Sequence, residues 1–166
     1  MAKLMDFIEL EIKSSLEEIP GRAQTEQWIG ETPWTKGVKQ AIVNVGRKFS
    51  YLTAASGTDS DEGQEWLYDI VWYQSDNEKY MTDVPLVAEC EWGGEGAIKY
   101  DFEKLLISRS PYKLMIFQSD SDKNINDIIN KMKIWITNFR QTSKRDRYLF
   151  AGWSKTHWMF EHYIVA

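Results

Sequence analysis

Glu65-Trp66-Leu67-Tyr68-Asp69-Ile70-Val71-Trp72 is followed, after one turn signal, by Leu86-Val87-Ala88-Glu89-Cys90-Glu91-Trp92-Gly93. Both stretches are rich in aromatic and β-branched residues, which fit a pleated, half-buried surface. Ser75-Asp76-Asn77 closes the first and Gly93-Gly94 the second. The pattern predicts strands over Glu65–Tyr73 and Pro85–Trp92. Alternate strand side chains share a face. Leu67, Asp69 and Val71 then fall together, opposite Trp66, Tyr68, Ile70 and Trp72. Val87, Glu89 and Glu91 fall together, opposite Ala88, Cys90 and Trp92. Carboxylates set among apolar residues on a sheet face need a partner. A divalent cation, a bound proton or a basic side chain would serve. Mg²⁺ (or Mn²⁺) is the natural candidate, because it takes oxygen ligands and keeps waters for a substrate.

Working outward, Leu4, Ile8, Ile12 and Leu16 recur every fourth residue, which predicts a helix over 3–18 that Pro20-Gly21 ends. Residues 22–33 show no period and read as loop. Thr35 is placed to cap a second helix with Val38, Ala41, Ile42 and Val45 on its apolar face and Gly46 at its end. Phe49–Ala55 reads as a short strand. Ile98–Ser108 reads as a helix with Ile98, Phe102, Leu105 and Leu106 inward. Tyr112–Gln118 contains Leu114-Met115-Ile116-Phe117, a run suited to a strand covered on both faces. Asp122–Thr142 carries the clearest helical stripe, Ile125, Ile128, Ile129, Met132, Ile136 and Phe139. Strands over Arg147–Trp153 and His157–Val165 close the chain. This order predicts an α/β domain with a central mixed sheet flanked by helices on both faces.

The 166 residues suit one domain, here 1–166: an N-terminal helix and loop (1–33), a core (about 34–118), and a C-terminal helix with two strands (119–166). A single cysteine, Cys90, excludes a disulfide framework and a cysteine zinc site. No apolar run reaches the roughly 18 residues of a membrane span. Asp6, Glu9 and Glu11 break up any signal-peptide core, so a cytoplasmic protein with no membrane partner is expected. The net charge of −5 is unevenly spread. Positions 57–103 hold 13 acidic and 2 basic residues, whereas 104–155 hold 11 basic and 4 acidic. An acidic centre before a basic half suits a cation site beside a phosphate-binding surface, and equally two solvated faces of opposite sign.

The two quoted stretches, with Asp101-Phe102-Glu103-Lys104-Leu105-Leu106 and Tyr112-Lys113-Leu114-Met115-Ile116-Phe117, resemble the successive core elements of a PD-(D/E)xK, restriction-endonuclease-like nuclease domain. The resemblance covers about residues 34–118. It implies a metal-dependent phosphodiesterase or endonuclease acting on DNA. It implies Asp69 and Glu89 as ligands of Mg²⁺ or Mn²⁺, with the Cys90 carbonyl as a third. Where the family carries its lysine, this chain has Glu91. On that resemblance Glu91 holds a second ion or orients the attacking water. Lys104 is then the place to look for a displaced lysine. At about 100° per residue it lies far round from Phe102, Leu105 and Leu106 and is expected to face solvent, with Asp101 better placed. The first-helix acid of the family has no counterpart in 35–48, and Glu31 or Glu11 could substitute.

Arg140, Lys144, Arg145 and Arg147 form the densest basic cluster, with Tyr148 and Trp153 near for stacking. Phosphate contact and a solvated helix end are both open. His157 and His162 point to opposite faces of their strand and make no ligand pair. Cys90 reads as a small buried hydrophobe. Gly93-Gly94-Glu95-Gly96 reads as a loop without the dinucleotide fingerprint. Two other functions remain beside the nuclease. One is a catalytically inactive nuclease-fold module that binds a protein partner or regulates another enzyme. The other is a set of structural acids paired with Lys113 or Lys99. A homodimer is compatible with any of them.

Overall fold

A computed structural model describes residues 4–77 and 79–166. Its elements are α1 (Phe7–Glu17), α2 (Ile19–Thr25), α3 (Glu31–Lys48), β1 (Leu52–Ala54), β2 (Ile70–Asp76), β3 (Tyr80–Glu91), α4 (Glu95–Ile107), β4 (Tyr112–Gln118), α5 (Asp122–Asn138), β5 (Arg147–Trp153) and β6 (Trp158–Ile164). The protein is α/β, and its six strands form a mixed sheet in the order β1-β2-β3-β4-β5-β6. The chain divides into two compact units at Pro85–Leu86, inside β3. Among the described residues, no helix is long and apolar enough to cross a membrane.

In the first unit, α1 starts at a capping box. Asp6 Oδ1 accepts from the Glu9 amide and Glu9 Oε2 accepts from the Asp6 amide. This cap places Leu4 ahead of the helix and 88% exposed, so only Ile12 and Leu16 of the expected stripe are fully buried. Position 3, where the helix was expected to begin, lies outside the described residues. Pro20-Gly21 does not open a loop. Proline suits the first turn of a helix, where its missing N–H costs nothing, and α2 starts there.

The next helix, α3, begins at Glu31 rather than Thr35, whose hydroxyl instead donates to the Glu31 carbonyl. It buries Val38, Ala41, Ile42 and Val45 as expected and runs past Gly46 to Lys48. Gly46 serves close packing. A Cβ there would sit 2.6 Å from the Trp72 indole nitrogen, which donates to the Ile42 carbonyl.

The short β1 pairs antiparallel with β2, Leu52 opposite Tyr73 and Ala54 opposite Val71. The second strand starts at Ile70 instead of the expected Glu65. Asp69 therefore lies in a bend one residue before the strand, not within it. At the other boundary β3 begins at Tyr80, earlier than the expected Pro85.

In the second unit, β3, β4 and β5 are parallel and β6 returns antiparallel to β5. The parallel connections need crossovers, which α4 and α5 provide. Leu114, Met115, Ile116 and Phe117 are all fully buried, as expected for β4. Ser121 caps α5 by accepting from the Asn124 amide, and the stripe from Ile125 to Ile136 is buried. Phe139, with ψ 111°, ends this helix before the expected Thr142.

Candidate functional site

Two of the three expected acids, Asp69 and Glu89, are each met by a lysine. In the first unit the Lys39 side chain comes from the middle of α3 and is only 6% exposed. Its Nζ lies 3.1 Å from Ser56 Oγ, 3.4 Å from Glu65 Oε2 and 3.6 Å from Asp69 Oδ1. Ser56 Oγ also donates to Glu65 Oε2. Where the family resemblance implied an acid from this helix, α3 supplies a cation. Of the substitutes considered, Glu11 pairs with Lys48 at 2.6 Å and Glu31 is exposed in the first turn of α3.

In the second unit Glu89 stands near the C-terminal end of β3, in register with Met115 of β4, and is 1% exposed. Glu91 is in register with Phe117. Lys104 of α4 brings its Nζ to 2.6 Å from Glu89 Oε1 and 3.3 Å from Asp101 Oδ1. This corrects the expectation that Lys104 faces solvent. A helical wheel tracks where the Cα–Cβ bond points, but four methylenes carry the ammonium back across the helix margin toward the buried carboxylate. Burial works against the Lys104 charge. The Glu89 carboxylate, aided by Asp101, outweighs that and holds its pKa above the ordinary lysine value. Burial pushes the Asp101 carboxyl up. Lys104 opposes this, and the neighbouring Glu91 carboxyl adds to it.

Glu91 Oε1 accepts from the Gly93 amide at 2.6 Å. A Cβ at Gly93 would lie 2.9 Å from that oxygen, so glycine allows the turn to close over the carboxylate. Gly93-Gly94 is a strand-to-helix turn, and α4 takes in Glu95 and Gly96 of the expected loop. Cys90, between the two acids, is in register with Ile116 and is half-buried.

Carboxylate oxygens are the donor type that Mg²⁺ and Mn²⁺ take, so the chemistry of Asp69, Glu89 and Glu91 fits those ions. Among the described residues, no group of three or more His, Cys, Asp or Glu side chains is assembled to hold a metal ion. Water and substrate oxygens would have to complete a shell begun by one or two carboxylates, as Mg²⁺ commonly accepts.

The other candidates separate. Lys113 does not serve the acids. It is fully buried, pairs with Asp146 at 2.8 Å, donates to the Ser110 carbonyl and lies over the Tyr148 ring. Burial lowers its pKa and Asp146 opposes that. Lys99 pairs with Glu103. Arg140, Lys144 and Arg145 are exposed, and Arg147 lies over the Tyr112 ring. Because α5 ends at Asn138, these residues follow the helix rather than ending it. Tyr148 is 0% exposed and is not available to stack on a base. Trp153 packs on Trp158 with ring centroids 5.2 Å apart. His157 precedes β6, with Nε2 3.2 Å from Asp122 Oδ2 and Nδ1 near the Ser154 and Thr156 hydroxyls. His162 lies on β6, opposite Leu149.

No family model, curated protein or solved structure matches this chain.

Lys39 is the residue that sequence reading missed. A signal was present: it stands beside Val38 and one turn before Ile42 and Val43, all fully buried. A lysine at helical spacing with core residues calls for a buried acid.

Proposed function

We propose that this protein is a metal-dependent phosphodiesterase of the endonuclease type, acting on DNA from a restriction-endonuclease-like scaffold in the cytoplasm. Its acids are Asp69, Glu89 and Glu91. The observation that carries the reading is the Lys104 ammonium 2.6 Å from the buried Glu89 carboxylate. Position 91 holds glutamate where the nuclease pattern expects lysine, and Lys104 returns that cation to the neighbourhood of Glu89 from the following helix.

The roles follow from the chemistry. Mg²⁺ or Mn²⁺, held by Asp69 and Glu89 with the Cys90 carbonyl, would supply an activated water and Lewis-acid stabilisation of the phosphate. Lys104, kept charged by Glu89 and Asp101, is suited to stabilise negative charge developing on a phosphoryl oxygen. Glu91, which accepts from the Gly93 amide, would orient water or accept its proton. Arg140, Lys144, Arg145 and Arg147 would contact the phosphate backbone. The test is incubation of purified protein with Mg²⁺ or Mn²⁺ and plasmid, linear or single-stranded DNA, beside Asp69→Ala and Glu89→Gln. Metal-dependent cutting that both variants lose is expected. Uncut DNA of every kind would sink the reading.

A second reading has its own observation. Lys39 meets Asp69 and Lys104 meets Glu89, so both acids already have a protein counter-charge. A non-catalytic binding or regulatory module on the same scaffold needs no metal. A thermal shift with Mg²⁺ or Mn²⁺ argues for the nuclease, and none argues for the module.

A further inference from the structure

Burying an ammonium is unfavourable unless hydrogen bonds and counter-charge surround it, and an apolar side chain of similar size often packs as well or better. Lys39 is 6% exposed, in a helix whose neighbouring core residues Val38, Ile42 and Val43 are fully buried. Its contacts join α3 to two positions in the irregular segment between β1 and β2, Ser56 at its start and Glu65 further along, and to Asp69 at its end. That segment makes one isolated bridge, Ala54 with Glu62, and otherwise has no strand ladder. Asp69 precedes the ladder of β2, so backbone pairing does not set the direction of its carboxylate. α3 buries Val38, Ala41, Ile42, Val43 and Val45 in the core, and Lys39 ties the carboxylate to it.

We infer that Lys39 is the positioning residue for Asp69: it sets the Asp69 carboxylate in place for catalysis and does not itself touch substrate. This rests on the reading in which Asp69 serves phosphodiester cleavage. Glu65 and Ser56 then act as the far side of the clamp, sharing the ammonium so that it does not collapse onto Asp69 alone.

The experiment is steady-state cleavage of DNA with Mn²⁺ by the wild type, Lys39→Arg, Lys39→Met and Asp69→Asn, with circular dichroism melts confirming each fold. Misplacing a catalytic group by about an ångström costs on the order of 100-fold, so Lys39→Met is expected to lose about that in kcat with KM unchanged, and Lys39→Arg to recover to within about tenfold. Lys39→Met turning over at the wild-type kcat while Asp69→Asn is dead overturns the positioning role and leaves the nuclease reading standing. A wild type that cuts nothing, or an Asp69→Asn variant that cuts normally, overturns the nuclease reading and this inference with it. Should Lys39→Met not fold, the Ser56→Ala, Glu65→Gln pair loosens the same ammonium from its more exposed side. It is expected to lower kcat in the same direction, and an unchanged kcat overturns the inference.

Discussion

Replacing Lys104 with methionine tests the pairing on which the site depends. Methionine keeps most of the stem and removes the charge from beside a carboxylate that is 1% exposed. Breaking a fully buried pair costs about 3–5 kcal/mol. The Lys104 side chain is 33% exposed, so water screens part of the interaction and about 2 kcal/mol is the fitting size. For a chain of this length that corresponds to a fall of about 4–8 °C in Tm.

The pH dependence has a definite sign. In the wild type the folded-state pKa of Lys104 is raised. Its stabilisation is complete below the unfolded lysine value of about 10.4 and is lost only as pH rises through the higher folded value, so it is constant from about pH 5 to pH 8. In the variant that contribution is gone and the Glu89 carboxylate is left buried without the ammonium. The deficit should be present at pH 5 and pH 8 alike, because the Lys104 contribution is constant over that window. Thermal melts followed by circular dichroism at the two pH values measure it. The Glu89→Gln, Lys104→Met double variant should recover more than half of the loss, because no buried charge is stranded. A Tm within about 2 °C of wild type at both pH values refutes the view that Lys104 is what balances Glu89.

Lys113→Met should cost about 3 kcal/mol in urea denaturation by stranding Asp146, and adding Asp146→Leu should return most of it. If the double variant is no better than the single, the pair is not the origin of the loss. Gly46→Ala drives a methyl to within 2.6–2.8 Å of Trp72 ring atoms, so a destabilisation of about 1–3 kcal/mol with altered tryptophan emission is expected. Unchanged stability would mean the indole shifts freely. Asp6→Ala removes the α1 capping box and should cost about 1 kcal/mol. For DNA binding, Lys144→Ala and Arg145→Ala should each lower the slope of log affinity against log salt by about one. A slope equal to wild type removes those residues from the interface.

Amino-acid pattern alone determined the elements whose signals are dense and local. β4 is built on the apolar run Leu114-Met115-Ile116-Phe117 between Pro111 and Ser119, and the structure keeps the bounds Tyr112–Gln118. The stripes of α4 and α5 repeat at helical spacing and are buried as read, except for Phe139, which follows α5 and is half-buried. Alternation along Val87, Glu89 and Glu91 placed both acids on one side of β3, and Lys104 and Asp101 of α4 lie against that side. Tertiary structure decided the boundaries and the partners. β2 starts at Ile70 rather than Glu65, a boundary that the aromatic and β-branched residues before it do not mark. Which lysine meets which acid was equally hidden. A lysine stem spans several ångströms in any direction, so Lys104 reached Glu89 from an unfavourable wheel position, while Lys113, a sheet lysine considered for the acids, went to Asp146. Lys39 was in view at core spacing, yet its meaning required Asp69 and Glu65, about one loop length away in sequence, to fold back onto α3. Local pattern specifies which face a residue takes. Only the assembled fold specifies which charge it meets there.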